Sequence, residues 1–168
     1  MVSSVLSYAD MFGYCKKARA KLIEAFEKMP NEEFTKGRGL SFESIKDVFV
    51  HTIIVEDNWL HYRFAGLGSG TSQKFQDFKN LEDVKKYVTE VDAKTAKLFG
   101  RITNEDLRKT FKRPLPNGKE EVLILEDVLY HVPIEIIYHY GEIFAVFWKM
   151  NIDAPYYSYL AYSREKAS

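Results

Sequence analysis

The sequence predicts an all-α protein, a four-helix bundle with a small hairpin or extended excursion between helices 3 and 4. Four long stretches place apolar residues three, four and seven apart, the spacing of one helical face. Proline- and glycine-rich turns separate them, and helical spacing gives way to turn and strand character between Leu107 and Ile124. A chain of 168 residues fits one domain, 1–168, with enough length to bury a core without disulfides.

The first helix is expected over Ser3 to Met29, where Tyr8, Phe12, Cys15, Leu22, Phe26 and Met29 form a stripe ended by Pro30 and Asn31. The second runs from about Ser41, its N-cap, to about Arg63, with Ile45, Val48, Phe49, Thr52, Glu56 and Trp59 on one side and His51 at its middle. Gly66 to Thr71 is too glycine-rich for a helix and reads as a flexible loop that can border a site. Asn80 and Asp83 resemble a capping arrangement for the third helix, which carries Val84, Val88, Val91, Thr95 and Leu98 and closes near Gly100. Pro114-Leu115-Pro116-Asn117-Gly118 is turn chemistry, and Glu121 to Ile124 is strand-like.

Glu126 and Asp127 suit the electropositive first turn of the fourth helix. That helix continues through Leu129, Val132, Ile136, Ile143, Phe147 and Met150 to a stop before Pro155, with Pro133 inside it as a kink or an early-turn residue. The aromatic tail from Tyr156 to Tyr162 is apolar enough to pack on its own bundle or on a second subunit, so a homodimer is one expected assembly.

Composition narrows the function classes. Hydrophobic residues make up 46% and aromatics 15%, which is a globule and not a disordered chain. Lys plus Arg and Asp plus Glu are both 24, so no basic excess is available for a nucleic-acid backbone, and nucleic-acid binding is not expected. The N-terminal residues do not read as a signal peptide, and Ile143 to Trp148 is too short to span a bilayer, so no membrane role is expected. Cys15 as the single cysteine fits a reducing compartment, the cytoplasm, and its place on the first-helix stripe predicts an inert core thiol.

The chemistry-bearing residues lie on the fourth helix. His131, Glu135 and His139 are spaced by four and so follow one another along one side. Two ligands at i and i+4 share an ion only when another element supplies a third, and mid-helix His51 is the natural donor. The resulting site is His51, Glu135 and His139, two histidines and one carboxylate, with positions left open for water or substrate; it suits zinc, nickel or ferrous iron. On spacing alone, a histidine hydrogen-bonded inside a helical core is the commoner case.

The segment His131-Val132-Pro133-Ile134-Glu135-Ile136-Ile137-Tyr138-His139-Tyr140-Gly141-Glu142-Ile143 resembles the fourth-helix signature of the DinB/YfiT-like superfamily. There a histidine is followed by a second and a third at four-residue steps, then Arg-Gly-Gln, and the last two histidines are ligands. His139 matches the final ligand and Gly141 the glycine. The helix carrying His51, Glu56 and Trp59 is similar to the family's first-ligand helix, and the Pro-Asn-Gly excursion falls in the same place. Three positions depart: Glu135 stands for the usual histidine ligand, Tyr140 for the arginine and Glu142 for the glutamine. A carboxylate still binds a divalent ion and shifts preference towards harder metals.

The resemblance implies a metal that activates a low-molecular-weight thiol, hence a thiol-dependent S-transferase or isomerase; metal-bound water would instead give a hydrolase of small substrates. The alternative is a non-catalytic, stress-related binding or structural bundle. His131 is expected as an outer partner, an extra ligand or a packing residue, and His61 as a packing residue near an exposed helix end. Glu142 and Glu56 are candidate bases, with solvated surface glutamates as the simpler reading.

Overall fold

The computed structural model describes residues 4–115 and 117–167. Ser3, the expected start of the first helix, and Pro116 of the expected turn lie outside the described residues. Four long helices, α1 (Val5–Phe26), α3 (Ile45–Glu56), α4 (Leu81–Phe99) and α5 (Leu125–Lys149), make the bundle. α5 packs against α1 and α3, and α4 packs against the same two, which closes the ring in the order α1, α4, α3, α5. Leu22, Ile45, Phe49, Ile53, Val84, Val91, Leu129, Ile136 and Ile143 fill its centre with no exposed surface.

Each helix starts on a side-chain cap where the sequence supplies one. Ser4 accepts from the Ser7 N–H on α1, and Asn80 accepts from Asp83 on α4, as expected from its spacing. The cap of α3 is Ser44, not Ser41: Leu40 and Glu43 pair across a tight turn, Glu43 takes φ 67°, and the helix begins three residues later than expected. α5 has no side-chain cap but carries Glu126 and Asp127 in its first turn. Pro133 lies inside α5, where it leaves the Leu129 carbonyl without its helical donor.

The chain also forms elements that periodicity did not announce. A five-residue helix, α2 (Asn31–Thr35), follows Pro30 and drives Phe34 into the core against Phe26. Beyond Glu56 the helix widens into a π-helical segment, Asp57–Phe64. Between α4 and α5, β1 (Thr110–Pro114) and β2 (Glu120–Ile124) form the antiparallel hairpin expected there, with Gly118 at φ 78° in its turn. The aromatic tail becomes α6 (Tyr159–Ala167) and lies on α1 of its own chain; Tyr159 and Tyr162 donate to Asp10, and the Tyr162 hydroxyl occupies the space a side chain at residue 13 would need, which accounts for Gly13.

The core is not wholly apolar. Arg19 of α1, 1% exposed, donates to Glu56 of α3 at 2.5 Å, to Asp92 of α4 at 2.8 Å and to the Tyr140 hydroxyl of α5 at 3.3 Å. Glu56 takes a further bond from Thr95, and below it His61 and Tyr87 bond to the fully buried Asp57. Burial pulls against the charge of Arg19, but Glu56, Tyr140 and Asp92 more than offset it. Cys15 is buried beside this network with its thiol pushed up to about 12 by burial, the inert core thiol expected.

Replacing Arg19 with Met strands a buried carboxylate, so denaturant unfolding is expected to show a loss of about 3–5 kcal/mol. The double variant Arg19→Met/Glu56→Gln should recover part of that loss by removing the charge left behind.

Candidate metal centre

His51 stands at the middle of α3, on the side that meets α5, and Glu135 and His139 stand one turn apart on the facing side of α5. The structure brings all three expected ligands together: one ligand atom from each lies within 4.8 Å of the others. His51 Nε2 is 3.1 Å from Glu135 Oε1, and the two imidazole rings meet edge to face with centroids 4.7 Å apart. The three side chains are 18–27% exposed, enough for a small ligand to enter from solvent.

Each of the three has an outer partner. His131 Nε2 is 2.8 Å from Glu135 Oε2, so His131, half exposed, is tied to the cluster through the carboxylate, as an outer partner would be. His139 Nδ1 donates to Glu142 at 3.3 Å, which fixes the tautomer and leaves Nε2 with its lone pair. Glu142 in turn accepts from the Ser41 N–H at 2.8 Å and the Ser41 hydroxyl at 2.6 Å. Phe42 stacks on His51 at 3.8 Å and 20° and meets His139 edge-on at 5.6 Å, closing one side of the cluster with an apolar wall.

The electrostatics favour a cation. A hydrogen bond from His51, together with the nearby His131 and His139, holds the Glu135 carboxyl below its ordinary range against the opposing effect of burial. Burial pushes the Glu142 carboxyl up, but the two Ser41 bonds and His139 outweigh it and hold it low as well. Two imidazoles and an ionised carboxylate are a donor set for zinc, nickel or ferrous iron. A tetrahedral ion with bonds of about 2.1 Å needs donors about 3.4 Å apart, so modest side-chain rotation brings the set to ligating distance. These residues therefore fit a divalent ion.

Two expectations about glutamates are corrected. Glu56 is not a solvated surface residue but 3% exposed, its carboxylate spent on Arg19 and Thr95. Glu142 is not a free surface residue either, because the Ser41–Phe42 turn folds over it. His61 is a packing residue as expected, yet it is buried rather than near an exposed end, bonded to Asp57 at 2.9 Å. The Gly66 to Thr71 loop is pinned to the π segment by Thr71 N–H donating to Asn58. Nothing in the sequence marks Phe42, which lies in a loop without periodicity, and Ser41 reads there only as a helix cap, whereas it bonds to Glu142.

No curated protein matches the chain. Among solved structures, the crystal structure of a DinB-like protein from Bacillus cereus ATCC 10987, determined at 2.01 Å, matches with a TM-score of 0.72. The match covers 94% of this chain and 100% of that one at 12% identity, which makes the likeness one of fold. The family model of the DinB family matches residues 1–165, and with that span covered the chain belongs to the DinB family.

Proposed function

We propose that His51, Glu135 and His139 hold a divalent metal ion and that the protein uses it for chemistry on a small substrate. The observation that supports this best is the convergence of three donors from two helices within 4.8 Å, each with its own outer partner. Thiol-dependent transfer or isomerisation with a low-molecular-weight thiol is the first form of the reading, and hydrolysis of a small substrate the second. Such an ion, when bound, lowers the pKa of a ligated sulfhydryl or water and supplies a nucleophile at neutral pH. The chain's own residues do the rest: Ser41 orients Glu142, Glu142 orients His139, and Phe42 keeps water from one side of the cluster. Glu56, held by Arg19, is unsuited to act as a base. A cytoplasmic location without nucleic-acid or membrane partners belongs to the same proposal; no helix among the described residues is long and apolar enough to cross a membrane.

One observation favours the non-catalytic alternative. The donors already satisfy one another, His51 bonding to Glu135 and Glu135 to His131, as in a hydrogen-bonded rail that stabilises a binding or structural bundle. Elemental analysis of tag-free protein separates the two. About one divalent ion per chain is expected in the parent, with loss in His51→Ala and in His139→Ala at unchanged helicity, and retention or tightening in Glu135→His. Equal metal content in parent and His139→Ala would remove the site, and metal without turnover of any thiol–electrophile pair would favour the binding bundle.

The proposal includes a homodimer through the outer face of α5. Ile134, Tyr138 and Trp148 are 51%, 77% and 62% exposed and fall on one side of the helix, with Gly141 and Ala145 between them. Together with half-exposed Tyr130 they make a mostly apolar stripe with Tyr138 and Trp148 as aromatic anchors, the kind of residue enriched at protein interfaces. Light scattering is expected to give twice the 19.6 kDa chain mass in the parent, and the chain mass alone for Tyr138→Glu.

A further inference from the structure

The π segment Asp57–Phe64 carries Trp59, at the edge of the core, and Arg63, neither of them among the proposed ligands. Trp59, 9% exposed, has its indole covered by cations: the Arg63 guanidinium carbon lies 4.2 Å from the ring centroid and that of Arg113 5.2 Å. The edge of the same ring meets His131 at 5.5 Å, and His131 bonds to Glu135, so a single residue separates this platform from the metal cluster.

Two different elements are bent to this arrangement. Trp59 and Arg63 are four apart on the widened π helix, which stacks the guanidinium on the indole while Asp57, Leu60 and His61 stay buried on the other side. Arg113 comes from β1, where alternation points it the same way as Phe111, and Phe111 packs on Phe64 of the π segment. The hairpin thus delivers a second cation to a ring that already carries one.

The two cations are poorly compensated. Arg113 spends its Nε on Glu121, its register partner across the hairpin, at 3.1 Å. Among the described residues Arg63 has no carboxylate or carbonyl acceptor; its contact is the indole. Burial and the neighbouring Arg113 both lower the pKa of Arg63, and Glu135 is the carboxylate that opposes them. Two guanidiniums held on one ring with most of their donors unspent form a fork for an oxyanion.

We propose that Arg63 and Arg113, stacked on Trp59, form an anion-binding subsite beside the metal cluster that takes the carboxylate or phosphate group of the substrate. As a substrate subsite it rests on the function proposed above, and it narrows the substrate to small molecules carrying an oxyanion about one residue's breadth from the reacting group. Anion binding itself does not require the metal.

The test is therefore made on protein stripped of metal by a chelator, in a Trp148→Phe background so that emission reports Trp59. Inorganic phosphate and succinate are titrated separately at constant ionic strength, with chloride as the control. A saturable change in emission is expected with at least one of them, and the one that binds tells phosphate from carboxylate. Arg63→Gln and Arg113→Gln should each weaken it by roughly tenfold or more, as loss of a charge-assisted bond requires. Arg113 lies on the exposed hairpin, so its variant tests the subsite even if Arg63→Gln does not fold. No saturable response to either anion, or an affinity unchanged in both variants, would overturn the proposal. Because no metal is present, these outcomes are independent of whether the metal content measured above supports the cluster.

Discussion

One guanidinium ties the bundle together. Arg19 reaches from α1 to Glu56 on α3, Asp92 on α4 and the Tyr140 hydroxyl on α5, so all four long helices meet at a single charged group. Burying such a charge is favourable only when every bond is made, which fixes the rotation of each helix about its own axis. Apolar packing alone tolerates small rotations; three directed bonds from one planar group tolerate few. That constraint is what sets α3 and α5 in the rotation that places His51 opposite Glu135 and His139.

Much of the bundle was legible because its signals are local. Asn80 caps α4, the turn chemistry before Ile124 closes a hairpin, and Cys15 is an inert core thiol. The same helical spacing contained a signal that went unread. Tyr8, Phe12, Cys15, Leu22 and Phe26 leave a gap of seven that Arg19 fills at the regular step of four and then three, and Glu56 stands likewise on the buried side of α3. A charge at a core position of an amphipathic helix implies a buried partner elsewhere, and both charges were present. The π segment left no such trace, since its one-residue widening per turn resembles ordinary helical spacing over eight residues.

The clustering of His51, Glu135 and His139 was legible from spacing, but its supports were not. Ser41 looked like a helix cap, and its hydroxyl instead serves Glu142, about a hundred residues away in sequence. Phe42 carries no pattern at all, yet its stacking on His51 accompanies a turn in which Glu43 takes a positive φ, a conformation that a glutamate in the sequence does not signal. α5 divides its circumference among three tasks: Ile136 and Ile143 face the core, Glu135 and His139 face α3, and Ile134, Tyr138 and Trp148 face outward. A four-residue period reveals each stripe but does not say which neighbour it meets.

The hairpin and α5 are joined without a linker. β2 ends at Ile124, α5 begins at Leu125, and the Leu125 N–H donates back to the Lys109 carbonyl just before β1. The ribbon is therefore a rigid handle on the helix, and its direction is set by helical phase. One residue inserted at the junction would turn the handle by about 100° around the axis of α5 and carry Arg113 away from Trp59. Length can change freely at the tip, near Gly118, but at its root the ribbon is geared to the helix residue by residue.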